Sequence, residues 1–149
     1  PPVLLYRTSR FFYRLKLKII SRLIDYMNRI LFGVWIPGSV QAGKGLILGY
    51  WGLGIVIHSH CVIGDYCQIN QNVTIGRNFG DVEVPKLGNY VYIGAGSVVF
   101  GEIHLENNVV IGANSVVNKS ISCNTIAVGN PARKIGDIEN KTYKQLDNK

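Results

Sequence analysis

The sequence predicts an all-β fold, a left-handed parallel β-helix, with an α-helical segment before it. Three observations carry that prediction. Aliphatic anchors recur every six residues from Ile57: Ile63, Ile69 and Ile75, then Leu87, Ile93, Val99, Leu105, Ile111 and Val117. Four positions after the anchors stands a second apolar or small series, in Cys61, Cys67, Val73, Val91, Ser97, Ile103, Val109 and Ser115. Glycine often follows the anchor, as at Gly64, Gly76, Gly88, Gly94 and Gly112. Amphipathic helices repeat near 3.6 residues and strand faces near two, so a period of six fits neither. It fits short strands joined by tight turns and stacked as a solenoid.

The segment ahead of the repeat, residues 3–32, mixes apolar and basic residues and holds no glycine or proline, which permits helix; Gly33 and Pro37 end it. The expected organisation is a basic amphipathic helical segment over 1–35, the β-helix over 36–128, and a closing segment and tail over 129–149. Three hexads make one triangular coil, so residues eighteen apart should stack about 4.8 Å above one another. On that map one corner reads His58, Gly76, Gly94, Gly112; a second reads Gly64, Val82, Phe100, Asn118; the third reads Asn70, Gly88, Glu106, Asn124. Residues 77–86, RNFGDVEVPK, fill two hexads with Asp81 where an anchor is due, and are expected to form a loop extruded from a corner. If that loop supplies no side of the triangle, every later residue moves round by one face. Val56, Val62, Val98 and Val110 point outward when the anchors point in, and faces of that kind are expected to be covered in a homotrimer.

Length and composition limit the function. With 149 residues, 47% of them hydrophobic and 17% charged, the chain is a folded domain with an appendage. Residues 1–34 hold seven basic residues against the single acid Asp25, and so account for +6 of the net +7. The remainder is nearly neutral, offers no basic track for a phosphate backbone, and makes nucleic acid an unexpected partner. An odd count of three cysteines, Cys61, Cys67 and Cys123, argues against a disulfide framework and for a cytoplasmic setting. No uninterrupted apolar stretch is long enough for a membrane span, and no signal-peptide pattern is present. Residues 3–32 could still lie against the inner membrane face, with Phe11, Phe12 and Tyr13 in the interface, or pack on the trimer.

The segments GLGIVIHSHCVIGDYCQINQNVTIG, PKLGNYVYIGAGSVVFGEI, VVIGANSVV and GNPARKI resemble the hexapeptide-repeat acyltransferases, and within them the serine O-acetyltransferase-like branch; together they cover about residues 42–135. The resemblance implies an acetyl-CoA-dependent O-acetyltransferase with no metal, whose co-substrate lies in a groove between subunits along a glycine- and alanine-rich corner. Carried over, this implies Gly76, Gly94, Ala95, Gly112 and Ala113 beside the pantetheine arm, and Arg133 and Lys134 near the phosphates. Absent side chains suit an arm lying flat on backbone, and cationic side chains suit phosphate. The chain departs from the family at three places. Gly49, Tyr50 and Trp51 stand where serine acetyltransferases carry a catalytic histidine after an aspartate; Val84 and Pro85 replace a second histidine; Trp35 replaces the aspartate that orients the first. These departures turn the expectation toward a sugar or polysaccharide-precursor hydroxyl as acceptor, with serine as the alternative.

Acetyl transfer to a hydroxyl needs a base and a stabiliser for the oxyanion, and histidine suits the first task. His58 or His60 is the expected base, near the N-terminal end of the glycine corner, with Asp65, Asp81 or Glu83 to orient it and backbone N–H groups as oxyanion donors. Tyr50 and Trp51, with Tyr66, offer flat faces to a sugar ring, and Asn70 and Gln71, with Asn72, offer polar partners to its hydroxyls. Two rival readings keep the architecture. One is a zinc enzyme of the carbonic anhydrase type, which would need His58, His60 and His104 to converge on the metal. The other is a non-catalytic trimer.

Overall fold

The computed structural model describes residues 1–139 and 141–143; the rest of the polar tail lies outside the described residues. The helical segment is a hairpin, α1 (Pro2–Arg14) and α2 (Lys18–Phe32), rather than one helix over 3–32. A Schellman-type stop ends α1: the Leu17 N–H donates to the Phe12 carbonyl, the Lys16 N–H donates to that of Tyr13, and Lys16 takes the left-handed conformation, φ 61°. Glycine usually fills that position, so a lysine there gave no break signal. At the far end, Gly33 at φ 66° closes α2 in the ordinary way.

Two- and three-residue strands then follow in order: β1 (Gln41–Ala42), β2 (Ile47–Leu48), β3 (Val56–Ile57), β4 (Val62–Ile63), β5 (Gln68–Ile69), β6 (Thr74–Gly76), β7 (Lys86–Leu87), β8 (Tyr92–Ile93), β9 (Val98–Phe100), β10 (His104–Leu105), β11 (Val110–Ile111) and β12 (Val116–Val117). The closing hairpin is β13 (Thr125–Gly129) and β14 (Ala132–Asp137). They build three parallel faces of a prism. The first is β1-β4-β7-β10, the second is β2-β5-β8-β11-β13 with β14 antiparallel on its edge, and the third is β3-β6-β9-β12. Every residue of both inward series is buried, while Val56 is exposed and Val62, Val98 and Val110 are half-exposed, as the period of six required. Buried Ser97 and Ser115 are hydrogen-bonded, to the Gly112 carbonyl and from the Gly129 N–H respectively. Asparagines at Asn72, Asn108, Asn114 and Asn124 hold positive φ in the corner turns, a conformation their short polar side chains tolerate.

The coil length is not constant, and this corrects the eighteen-residue map. Stacked residues are eighteen apart within the upper coils, as in Tyr92 on Val110. They are twenty-one apart where the 3-10 turn Gly49–Gly52 adds residues to the first coil, as in Gln41 on Val62. Across the 77–86 loop they are twenty-four apart, as in Thr74 on Val98 and Gln68 on Tyr92. The loop therefore supplies no side of the prism. Gly76 stacks beneath Phe100, not beneath Gly94; Gly94 and Gly112 stand above Asn70 on the next corner round.

The first coil has no strand beneath it, so its outward-facing carbonyls need other donors. Helix α1 supplies them. Tyr6 donates its hydroxyl to the Val40 carbonyl (2.8 Å), Arg10 reaches the same oxygen (2.7 Å), and Arg7 donates to the carbonyls of Ala42 (2.6 Å) and Gly43. Two of the basic residues that gave the segment its charge are thus committed to docking the hairpin on the prism.

Candidate active site

Helix α2 stands off the third face far enough to leave a cleft of about 400 Å³. Its walls include Tyr13, Arg22 and Asp25 from the hairpin, Trp35 from the chain entering the prism, and His58 and Gly76 from successive coils. His58 follows β3 at the corner where the third face turns into the first. Its Nδ1 accepts the His60 backbone N–H (3.3 Å), and the two imidazoles meet edge to face with centroids 5.3 Å apart. Burial lowers the His58 pKa below the ordinary histidine value, with His60 and Arg77 adding to the effect, so the ring is neutral at neutral pH. With Nδ1 accepting, the neutral ring carries its proton on Nε2 and offers a donor there. His60 is exposed and opens on an adjoining recess of about 480 Å³ with Arg10, Tyr13 and Arg14.

Gly76 has a distinctive place among the glycines of the prism. A side chain added at Gly94 would meet the Ala113 backbone at 2.5 Å, and one at Gly112 would meet Val128 at 2.5 Å, so stacking of the coils demands those glycines. At Gly76 nothing lies within 4 Å and φ is not positive. Packing and backbone geometry within this chain therefore leave the glycine unexplained, while its position beside His58 keeps the cleft open.

Following the His58 corner upward leads through Gly76 and Phe100 to Asn118, with Lys119 next to it. There Lys119, Ser120 and Ser122 share a recess of about 360 Å³ with Arg133 and Lys134 of β14. Three strand spacings, about 15 Å, separate this cationic recess from His58. Lys134 is partly neutralised by Asp137 at 2.6 Å; Arg133 is exposed.

The remaining predicted residues gather at the other edge of the third face. Tyr50 and Trp51, Asn70 and Gln71, Gly94 and Ala95, and Gly112 and Ala113 all stand on the corner between the second and third faces. One chain thus does not bring them to His58. Tyr50 and Trp51 hold left-handed conformations in the added turn and project into solvent, Trp51 against Phe32 at 5.5 Å between centroids. Asn70 does not suit substrate binding. It is buried, its Nδ2 donates to the Ile93 carbonyl (2.9 Å), and its Oδ1 accepts from Gln68 (3.1 Å), so it serves the corner itself.

None of the acids expected to orient an imidazole does so. Asp65 accepts the Lys44 N–H (2.9 Å), Asp81 accepts that of Glu102 (3.2 Å), and Glu83 pairs with Lys86 at 3.7 Å. The acid in the cleft is instead Asp25, which sequence reasoning passed over. It is buried, accepts from the Ser9 hydroxyl (2.5 Å) and the Gly38 N–H (3.1 Å), and has its pKa raised chiefly by burial, against the pull of those hydrogen bonds and of Arg22. A lone acid among seven basic residues was the signal available for it. His104 lies on the first face, away from the other two histidines, and no group of three metal-ligating side chains occurs among the described residues.

Comparison with known proteins adds the decisive observation. The chain is 34% identical over 135 residues to a serine acetyltransferase of Helicobacter pylori, covering 89% of this chain and 78% of that protein. The chain belongs to the serine acetyltransferase family. A serine acetyltransferase of Synechococcus elongatus is 38% identical over 133 residues, covering 87% of this chain and 54% of its own, so the chain spans about half the length of that relative. Among solved structures, the Brucella abortus serine acetyltransferase in complex with coenzyme A superimposes with a TM-score of 0.88 at 29% identity, over 92% of this chain and 55% of that one. No protein-family model matches the sequence.

Proposed function

We propose that the chain transfers an acetyl group from acetyl-CoA to a hydroxyl acceptor, as part of a homotrimer whose active sites lie between subunits. Family membership and the coenzyme A complex of the Brucella relative support the reaction class. The observation that carries the site is His58 beside the unencumbered Gly76, at the foot of a corner that ends in the Lys119, Arg133 and Lys134 recess. In this reading the nucleotide phosphates occupy the recess and the arm descends to His58. The neighbouring subunit faces that edge with its own opposite one, which would bring Gly94, Ala95, Gly112, Ala113, Gln71, Tyr50 and Trp51 to the groove. The cysteines do not compete as nucleophiles in this scheme: Cys61 and Cys67 are buried with thiol pKa values pushed up to about 12 and about 11, and Cys123 stands on the last coil beside Glu106, several strand spacings from His58.

The two histidines divide the work. His58, neutral and with its proton on Nε2, donates a hydrogen bond to the thioester oxygen as charge develops there; His60, exposed beside it, takes the acceptor's proton and returns it to the departing thiolate of coenzyme A. Serine is the acceptor the relatives' names favour. A sugar hydroxyl is the second reading, favoured by the exposed Tyr50 and Trp51 standing where the resemblance places the histidine of the serine enzymes.

The test is thiol release from acetyl-CoA across serine and nucleotide-linked, lipid-linked and polymeric sugars. His60→Ala is expected to lose about 10²–10⁴ in kcat. His58→Ala is expected to lose about 10²–10³, while His58→Gln, whose amide can still donate, recovers part of it. Equal losses in the alanine and glutamine variants of His58 would make it the base instead. Absence of thiol release with every acceptor, together with no binding of acetyl-CoA, would overturn the transferase reading.

A further inference from the structure

Helix α2 is built inside out for a helix that ends in water. Three of its polar residues are buried: Ser21 and Asp25 join Ser9 in a hydrogen-bonded cluster against α1, and Asn28 donates to the Pro2 carbonyl (3.1 Å). Its outer side is apolar. At 100° per residue, Tyr26, Ile19, Ile30, Leu23, Met27, Ile20 and Leu31 fall on one continuous arc with no charged residue in it, and Ile19 and Ile30 are 80% and 82% exposed. Leu15 and Leu17 extend the arc into the turn between the helices, and Phe11 lies exposed on α1. A contiguous apolar surface of this kind on a folded protein marks a place where something docks.

Charge tells what docks. Along one border of the arc run Lys18, Arg22 and Arg29, and Arg14 and Lys16 stand at the turn. Between Lys18 and Arg22 on one side and Ile19, Leu23 and Tyr26 on the other lies a shallow recess of about 480 Å³, which joins cationic to apolar lining. The only acid in residues 1–34 is Asp25, and it is turned inward. A second copy of the same face would therefore offer those cations no acid to pair with. We propose that the outer face of α2 docks on an anionic lipid bilayer, the apolar arc entering the acyl boundary and the basic border meeting lipid phosphates. A helix with a strongly apolar side and a basic flank lies in the interface in this way.

The experiment is co-sedimentation of the 149-residue chain with vesicles of phosphatidylcholine alone or mixed with phosphatidylglycerol, at low and high salt. Binding to the anionic vesicles that weakens with salt is expected. Ile19→Gln combined with Ile30→Gln should reduce it about tenfold or more, as should neutralising Lys18, Arg22 and Arg29 together. Ile19 and Ile30 touch no part of the cleft, so that pair keeps its circular dichroism and thiol release. No binding to anionic vesicles at low salt, equal binding to neutral ones, or undiminished binding by the folded Ile19→Gln/Ile30→Gln variant would each overturn the proposal. So would a sedimenting mass that falls when those two isoleucines are replaced, which would mean that a second copy covers the face.

Discussion

Asp25 sits under opposing influences. Burial raises its pKa, while the Ser9 hydroxyl, the Gly38 N–H and the Arg22 charge all favour the ionised form, and burial prevails. A carboxyl whose folded pKa lies above its unfolded value binds protons more tightly folded than unfolded. Stability from that group therefore rises as the pH falls through the folded pKa toward the ordinary carboxylate range, and is lost again as pH rises. Asp25→Asn keeps an oxygen for Gly38 and Ser9 and removes the titration. The variant should melt at or above the temperature of the unsubstituted chain at neutral pH, and the unsubstituted chain should gain on it as the pH is lowered from neutral. Melting curves over that range check this; a difference that stays constant with pH, or moves the other way, would mean that hydrogen bonds and not burial govern the group. That His58 and His60 stand together at one corner was legible in the sequence, because they lie two residues apart just after an anchor. Asp25 was not, since its partners Ser9 and Gly38 lie on other elements and only the folded hairpin brings them together.

At the scale of elements, the hairpin and the first coil depend on each other. The carbonyls of Val40, Ala42 and Gly43 take their hydrogen bonds from Arg7, Arg10 and Tyr6, and with those donors removed they would face α1 unpaired. Replacing Arg7 and Arg10 by Met keeps the apolar stems and removes the donors. Loss of Arg7 should cost about 1–3 kcal/mol, the range for leaving such acceptors unsatisfied, and loss of Arg10 less, because Tyr6 still donates to the Val40 carbonyl. Chemical denaturation reads the cost directly, and a double variant as stable as the unsubstituted chain would show that water satisfies those oxygens. The strands of the prism were readable hexad by hexad because one position per side must be apolar and the next small or polar. The break in the helical segment was not readable, because Lys16 occupies a left-handed position that a glycine would have announced. Likewise the first coil takes three extra residues at Gly49–Gly52, where Tyr50 and Trp51 adopt positive φ without any glycine of their own.

For the whole molecule, everything above the 77–86 loop depends on whether that loop counts as a side. Hydrophobic period alone leaves the question open, since inserting six residues preserves the phase of every anchor while rotating the corners by one. The pairing of Ile75 with Val99 answers it, and with it moves Gly94 and Gly112 away from His58. A deletion tests the consequence. Removing residues 78–83 leaves Gly76, Arg77, Val84 and Pro85 between Ile75 and Lys86, the length of an ordinary hexad turn, and Pro85 is already buried at the second inward position. Strand β7 would then follow β6 at normal spacing, and no later coil would change face. The deleted chain should keep its β-rich circular dichroism and its oligomeric state. It should lose the Asp81 contact to the Glu102 N–H, at a cost of about 1–3 kcal/mol, and show altered acetyl-CoA affinity, because the loop springs from the corner between His58 and Lys119. A loop that formed a side of the triangle would behave differently. Its removal would turn every upper coil by one face, set Phe100 and Glu102 against the wrong neighbours, and leave a chain that does not fold.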